Sequence, residues 1–306
     1  MTFLALLTKE LRLRMRRERT IWVVVLYILL MGLIAWFYVG RFANFNGSGS
    51  MTLNDIGTYL YMLLSMVQLF LIIFITPAFT ATAVNGEKER QTFDLILCAR
   101  ISAFSLIAGK LVAGLVNSLL LIAASVPLFS LVFFFGGISP QQITSALLVF
   151  VSTTLIIGTF GLFCSTLLLR PAVSTAIAYM VSMLWIFMPL VLAIMISGSG
   201  NWLQFFSPVG MLQSPSIFSR PSPLFVWNPV VALMSTYPAG SIMSNYVLHG
   251  LKLSPWLAYT LLNLLATAVF FLLSVYLVKP IQPGSLWRKK VLVENSSSSS
   301  ANAPGI

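Results

Sequence analysis

The chain has 306 residues, of which 58% are hydrophobic and only 8% are charged, and its net charge is +11. A soluble domain carries about 25% charged residues, so this chain could not cover its own surface in water and needs lipid as the solvent for much of its length. Membrane proteins collect basic residues in their cytoplasmic loops, and this explains the positive charge better than nucleic-acid binding does.

The first predicted element is an amphipathic helix over residues 1–20. Its apolar side chains recur at helical spacing, at Leu4, Leu7, Leu11 and Met15. Such a helix lies flat at a membrane surface with its basic face toward anionic headgroups. The apolar run that follows, 21–40, is longer than the core of a secretory signal peptide, which has about 7–15 residues. We therefore predict that it is retained as the first span.

Six segments are long and apolar enough to cross a membrane as helices. The predicted fold is all-α and integral to the membrane, with a transmembrane domain over 21–279 and a disordered cytoplasmic tail over 280–306. Turn residues punctuate the spans, notably Gly136, Gly137 and Pro140 after the third span and Arg170-Pro171 after the fourth. The predicted spans are 21–40, 57–84, 111–135, 143–169, 173–196 and 256–278.

Orientation follows from the distribution of basic residues. With the N-terminus in the cytoplasm, six spans place 15 of the 18 Lys and Arg on the cytoplasmic side. Only Arg41, Arg220 and Lys252 fall outside. A bias of this size follows the positive-inside rule and predicts that both termini are cytoplasmic, in a plasma membrane of bacterial type.

The predicted outer segment, 198–255, contains an uncharged stretch at 223–248 that could be a seventh span. A seventh span would move the basic tail outside and remove the charge bias. Pro229 and Pro238 would also interrupt such a helix. Short re-entrant or interfacial helices on the outer side are therefore the preferred interpretation.

The chain lacks the residue patterns of a catalyst. None of the predicted spans contains Asp, Glu, Lys, Arg or His, which disfavours an ion-coupled carrier. One histidine, His249, and two separated cysteines, Cys98 and Cys164, give no metal site or disulfide framework. No P-loop or Gly-rich dinucleotide turn is present. We expect no catalytic, cofactor-binding or metal-binding residues.

The most informative stretch is 77–114, where a predicted span ends and a short charged element follows. Its charged side chains are Glu87, Lys88, Glu89, Arg90 and Asp94. Five charges within eight residues form an exposed polar knob that suits docking on a soluble partner. An ordinary solvated turn is the alternative. Ser102 is a candidate N-cap for the next span.

This stretch resembles the permease subunits of export-type ABC transporters, the type-2 class. Many members carry a similar cytoplasmic pattern, G-E-x-E-x-x-T-x-D/E-x-L-L, followed by G-K at the head of the next span. The matching residues here are Gly86, Glu87, Glu89, Arg90, Thr92, Asp94, Leu95 and Leu97, then Gly109 and Lys110. Arg100-Ile101-Ser102 replaces a proline and serine found in many members. Asn228-Pro229 also resembles an Asn-Pro pair that precedes their last span.

The resemblance implies a permease subunit of an ATP-driven exporter, with ATP hydrolysis on a separate ATPase subunit and a second permease chain enclosing the path. The segment 85–105 would contain a coupling helix in a cleft of the ATPase. Its predicted coupling residues are Gly86, Glu87, Lys88, Glu89, Arg90, Thr92 and Asp94, with Glu87, Glu89 and Arg90 as the central contacts.

Two other functions compete with this one. A membrane scaffold that docks a cytoplasmic partner would share the charged knob, and a gene for a P-loop protein beside this one would favour the exporter. A lipid-acting membrane enzyme should show polar clusters that face one another in the spans, where the sequence offers only scattered Ser, Thr and Asn. The apolar spans would suit a hydrophobic or amphipathic cargo.

Overall fold

The computed structural model describes residues 18–43, 53–89, 103–168, 170–197, 227–237, 246–248 and 251–278. Six long helices dominate this part of the chain, together with two short helices and one β-hairpin. In chain order the elements are α1 (Glu18–Ala43), α2 (Leu53–Thr80), α3 (Asn85–Glu89), α4 (Ala103–Phe135), α5 (Pro140–Leu167), α6 (Pro171–Ser197), α7 (Pro229–Met234), β1 (Tyr246–Leu248), β2 (Leu251–Leu253) and α8 (Pro255–Val278).

The six long helices, α1, α2, α4, α5, α6 and α8, are each long and apolar enough to cross a membrane. The predicted all-α fold with six spans is therefore confirmed. The helices do not end where the predicted spans do, and two differences bear on the site. The third span begins as a helix at Ala103 rather than 111, and the second ends at Thr80, followed by a turn over 81–84. Most of the predicted N-terminal amphipathic helix and the whole tail 280–306 lie outside the described residues.

Helix α5 lies at the centre of the bundle and packs against α2, α4, α6 and α8. Two thirds of its most apolar window (67%) is buried, against 22% for α6, 17% for α8 and 11% for α1. The three outer helices thus leave most of their apolar surface exposed. A chain with such a surface requires lipid or another membrane protein around it.

The turn between α4 and α5 shows why the sequence breaks there. Gly136 and Gly137 both have positive φ, +81° and +84°, a conformation that other residues rarely adopt. Ser139 then caps α5 in a capping box, accepting from the Gln142 amide while its own amide donates to the Gln142 side chain. Pro140 occupies the first turn, where its missing N–H costs nothing.

The outer segment contributes one short helix and a hairpin to the described residues. Every residue of α7 is buried, and Asn228 caps its N-terminus by accepting from the amides of Val230 and Val231. Six residues extend about 9 Å, too short for a span. The prediction of short helices over 223–248 was incomplete, because Tyr246–Leu248 pairs with Leu251–Leu253 as antiparallel strands.

Candidate functional site

The predicted coupling residues are only partly within the described chain. Gly86, Glu87, Lys88 and Glu89 belong to the five-residue helix α3. Arg90, Thr92 and Asp94 lie outside the described residues, as does the candidate N-cap Ser102. Helix α3 lies at the end of the bundle where α2 and α5 finish and α4 and α6 begin, which we call the Lys110 end.

The turn that leads into α3 is bonded through its main chain to the neighbouring helices. The Ser165 hydroxyl, near the end of α5, accepts from the backbone amides of Val84 (2.9 Å) and Asn85 (3.0 Å). The Ser174 hydroxyl, in the first turn of α6, donates to the Ala81 carbonyl at 2.8 Å. Buried main-chain groups need such partners, so these two serines fix the path of the chain as it leaves α2.

Lys110 is the third anchor, and its buried position within α4 was not predicted from the sequence. Its Nζ lies 2.6 Å from the Glu87 carboxylate and donates to the Ala83 carbonyl at 2.9 Å. The Lys110 side chain is 6% exposed and that of Glu87 24%. The sequence placed Lys110 just before the third span, whereas the structure places it eight residues into the apparent spanning helix α4. A buried ammonium needs a charged partner of this kind.

The face of α3 toward α5 is formed by Asn85 and Lys88. Lys88 Nζ donates to the Thr166 carbonyl at 2.6 Å. The end of the Asn85 amide that faces α5 meets only hydrogen-bond acceptors, so we assign it as the nitrogen, which then donates to the Leu168 carbonyl at 2.8 Å and to the Ser165 carbonyl. Residues three apart share a helix face, so these contacts fasten one side of α3 to the end of α5.

The accessible part of α3 is formed by Gly86 and Glu89, which lie beside the face that contacts α5. Glu89 is exposed, and a Cβ added at Gly86 would meet no atom within 4 Å. Gly86 and Glu89 therefore form the open face of α3, the part that another molecule can reach. The site can hold a short helix rigidly against the bundle and present one side of it outward.

Apolar packing supports the same arrangement. Val84 is fully buried in a small cluster with Leu106, Leu162 and Val278, which come from α4, α5 and α8. The turn is thus enclosed by apolar side chains as well as bonded by polar ones. Water has little access to the bonds beneath α3, which strengthens them.

A comparison with protein families gives a match to the ABC-2 family transporter protein model over residues 4–280. The chain belongs to the ABC-2 transporter family. The match covers nearly the whole chain and agrees with the six spans. A comparison with curated proteins gives no match.

The chain is therefore a multi-pass membrane protein and a permease component of an ABC transporter. ABC-2 permeases are typically non-catalytic subunits that associate with an ABC ATPase. Among the described residues of this permease, no group of three or more His, Cys, Asp or Glu side chains could hold a metal ion.

Inside the membrane helices the ABC-2 permease carries pairs of polar groups that link one helix to another. The hydroxyls of Thr153 and Tyr259 lie 2.8 Å apart between α5 and α8. Between α1 and α2, the Tyr27 hydroxyl donates to the side-chain oxygen Oε1 of Gln68. Interhelical hydrogen bonds of this kind hold membrane helices together. The sequence analysis noted only scattered Ser, Thr and Asn in the spans and singled out none of these four residues, because their partners lie on other helices.

Asn228 has a second role beyond its cap. Its side-chain nitrogen donates to the Ile186 carbonyl at 3.0 Å, and Ile186 lies in the middle of α6. The neighbouring Trp227 indole donates to Asn263 on α8 at 2.8 Å. Trp227 and the adjacent Asn228 of the Asn-Pro pair therefore fasten the predicted outer segment to two membrane helices.

One pocket of about 210 Å³ lies among α5, α6 and α8. Ile157 and Phe160 contribute from α5, Trp185 from α6, and Phe270 from α8, while Trp227 comes from the outer segment. Helices α6 and α8 both pack on α5, and the pocket lies between these three helices. A lining of this kind accepts apolar groups.

Proposed function

We propose that this ABC-2 permease is the membrane subunit of an ATP-driven exporter, and that its segment 85–105 docks on a separate ATPase subunit. The observation that carries the proposal is that α3 is bonded to the bundle by some of its residues and accessible at others. Asn85 and Lys88 are bonded to α5. Gly86 and Glu89 are open. A helix that is fixed at its base and reachable on its outer face suits the transfer of motion from a partner.

The energetic requirement supports the same function. ATP hydrolysis on another chain can drive this one only through a contact whose free energy differs between two states. If α3 were free to move on the bundle, a displacement of α3 by the ATPase would not reach the spanning helices. The anchors at Ser165, Ser174 and Lys110 instead join α3 and the turn that precedes it to three spanning helices.

The distribution of charge supports the location. The Lys110 end also carries Arg170, which is exposed, and a cytoplasmic position for this end agrees with 15 of the 18 basic residues lying on one side. The proposal therefore includes cytoplasmic N- and C-termini in a bacterial plasma membrane. A second permease chain would cover part of the apolar surface left exposed on α1, α6 and α8, with lipid covering the rest.

The test uses the open face of α3. The permease is co-expressed with each candidate P-loop ATPase of its genome, and a complex that forms is purified and assayed for ATP hydrolysis. Gly86→Trp adds bulk where nothing lies within 4 Å, so we expect normal amounts of permease in the membrane and at least a tenfold loss of bound ATPase.

The control is Gln141→Trp, which introduces the same side chain at an exposed position at the opposite end of the bundle. This variant should keep its ATPase. Full ATPase binding and stimulation in Gly86→Trp would reject the docking proposal. A scaffold that docks an unrelated partner would show no nucleotide-dependent activity in either variant.

A further inference from the structure

Glu87 is chemically unlike its neighbour Glu89. Glu89 is exposed, whereas the Glu87 carboxylate lies 2.6 Å from a lysine whose side chain is 6% exposed. An ammonium that is held this close and this deep is directed at the carboxylate beside it and not at solvent. The two glutamates of the charged stretch therefore face in different directions and serve different purposes.

The Glu87–Lys110 pair closes a ring of contacts around the turn. Lys110 belongs to α4 and also holds the Ala83 carbonyl. Ser165 of α5 holds the amides of Val84 and Asn85, and Ser174 of α6 holds the Ala81 carbonyl. Helices α4, α5 and α6 thus all bind main-chain groups between Ala81 and Asn85. The Glu87 side chain, through Lys110, also joins α3 to α4.

We infer that Glu87 is a positioning residue inside the permease, which pairs with Lys110 so that α3 and the ends of α4, α5 and α6 move as one body. This inference rests on the proposed docking of segment 85–105 and assigns different roles to different residues of that segment. Contact with the ATPase begins at the open face formed by Gly86 and Glu89, and the ion pair beneath passes the displacement of α3 to the spanning helices.

Two spin labels test whether α3 moves with α5. One label replaces Glu89 by Cys, and the other replaces Gln141, exposed in the first turn of α5. Because Glu89 lies on the open face, retention of the ATPase by the labelled permease is checked first by co-purification, and a labelled permease that loses it is measured alone. Ser165 lies beside α3 and is separated from Gln141 by about 36 Å along α5. A distance of this size suits pulsed electron–electron double resonance. Cys98→Ser and Cys164→Ala remove the native thiols. The purified permease–ATPase complex in lipid nanodiscs is measured without nucleotide and after trapping with ATP and vanadate.

With the native ion pair, we expect one narrow distance distribution whose centre is the same in both nucleotide states. In Lys110→Met the pair is lost, so the distribution should at least double in width and its centre should differ between the two states. Glu87→Gln keeps an oxygen that can accept from Lys110, and its distribution should fall between these. Arg170→Met removes an exposed charge at the same end of the bundle. Its distance distribution should match that of the protein with the native ion pair.

Two results would overturn the inference: a native distribution whose centre shifts with nucleotide, or a Lys110→Met distribution that is unchanged in width and centre. Loss of folding in Lys110→Met would leave Glu87→Gln, whose distribution must still broaden. The proposed docking fails separately, when no ATPase purifies with the native permease. The widths measured on the permease alone then still decide whether the pair holds α3.

Discussion

Ser165 and Lys110 solve one physical problem at the scale of single residues. A chain that leaves a membrane helix carries main-chain amides and carbonyls without helical partners, and burying them unpaired is costly. Ser165 supplies an acceptor for two amides, and Lys110 supplies a donor for a carbonyl. The turn can therefore be buried beneath α3 without loss of hydrogen bonding, which is what allows α3 to be rigid.

The contribution of Ser165 can be measured against a serine in the same helix. Ser165→Ala leaves two buried amides without their acceptor, so we expect the free energy of unfolding to fall by about 1–3 kcal/mol. Ser152 is also buried, but its hydroxyl donates to the Val149 carbonyl of its own helix, and Ser152→Ala should cost less than about 1 kcal/mol. Thermal unfolding in detergent provides the measurement. Equal shifts for the two variants would contradict the assigned role.

The sequence pattern could identify the charged stretch but not its anchors. Glu87 and Lys110 both stand in the motif that resembles the family, yet their pairing across 23 positions becomes visible only when α2 and α4 are side by side. Ser165 carries no sequence signal at all, because a serine in an apolar span looks the same whether it bonds its own helix or another chain segment. Only the structure separates Ser165 from Ser152.

At the scale of helices, small residues set how closely α2, α4 and α5 approach. A Cβ added at Gly114 of α4 would lie 2.9 Å from the Thr80 methyl group, and one at Gly161 of α5 would meet the Thr80 side chain and lie 3.3 Å from the Ala81 amide. Close approach at small residues is the usual packing mode of membrane helices. Here it brings α4 and α5 to the end of α2, where the anchored turn begins.

One added methyl group should reveal this close packing. Gly161→Ala forces α5 away from Thr80 and Ala81, so we expect it to destabilise the permease by about 1–3 kcal/mol and to reduce ATPase stimulation. Gly32→Ala in α1 is the control, since no atom lies within 4 Å of the added Cβ and alanine favours a helix. A Gly161→Ala protein as stable as Gly32→Ala would contradict the packing argument.

The spanning helices were predictable because their apolar length is a strong signal. Their ends were less so. Hydropathy placed the start of the third span after Lys110, whereas the helix begins at Ala103 because Lys110 finds its partners within the protein. The β1–β2 hairpin was missed because strands of three residues are too short to show alternation. The Gly136-Gly137 turn was predictable from glycine chemistry alone.

At the scale of the whole molecule, exposed apolar surface and basic charge describe how the permease sits in its environment. Helices α1, α6 and α8 keep most of their apolar windows exposed, and the basic residues of the sequence segregate to one side of the predicted topology. The first feature calls for lipid or another membrane protein around these helices, and the second predicts the direction of insertion.

The direction of insertion predicts the sides on which two positions lie. A reporter that fluoresces only in the cytoplasm, fused after Glu294, should light up. Gln141→Cys, exposed at the opposite end of the bundle, should react in intact cells with a maleimide that cannot cross the membrane. A dark reporter together with an unreactive Gln141→Cys would reverse the topology and separate α3 from any cytoplasmic ATPase.

The most direct test of the account is a photo-crosslink from α3. A photoreactive amino acid replaces Glu89 in one permease and Gln141 in another, each co-expressed with the ABC ATPase that purifies with the native permease and irradiated in intact cells. We predict that position 89 links to the ATPase, identified by its P-loop peptide, and that position 141 does not. An ATPase that purifies with the permease yet never links from position 89, or links equally from position 141, would contradict coupling through α3.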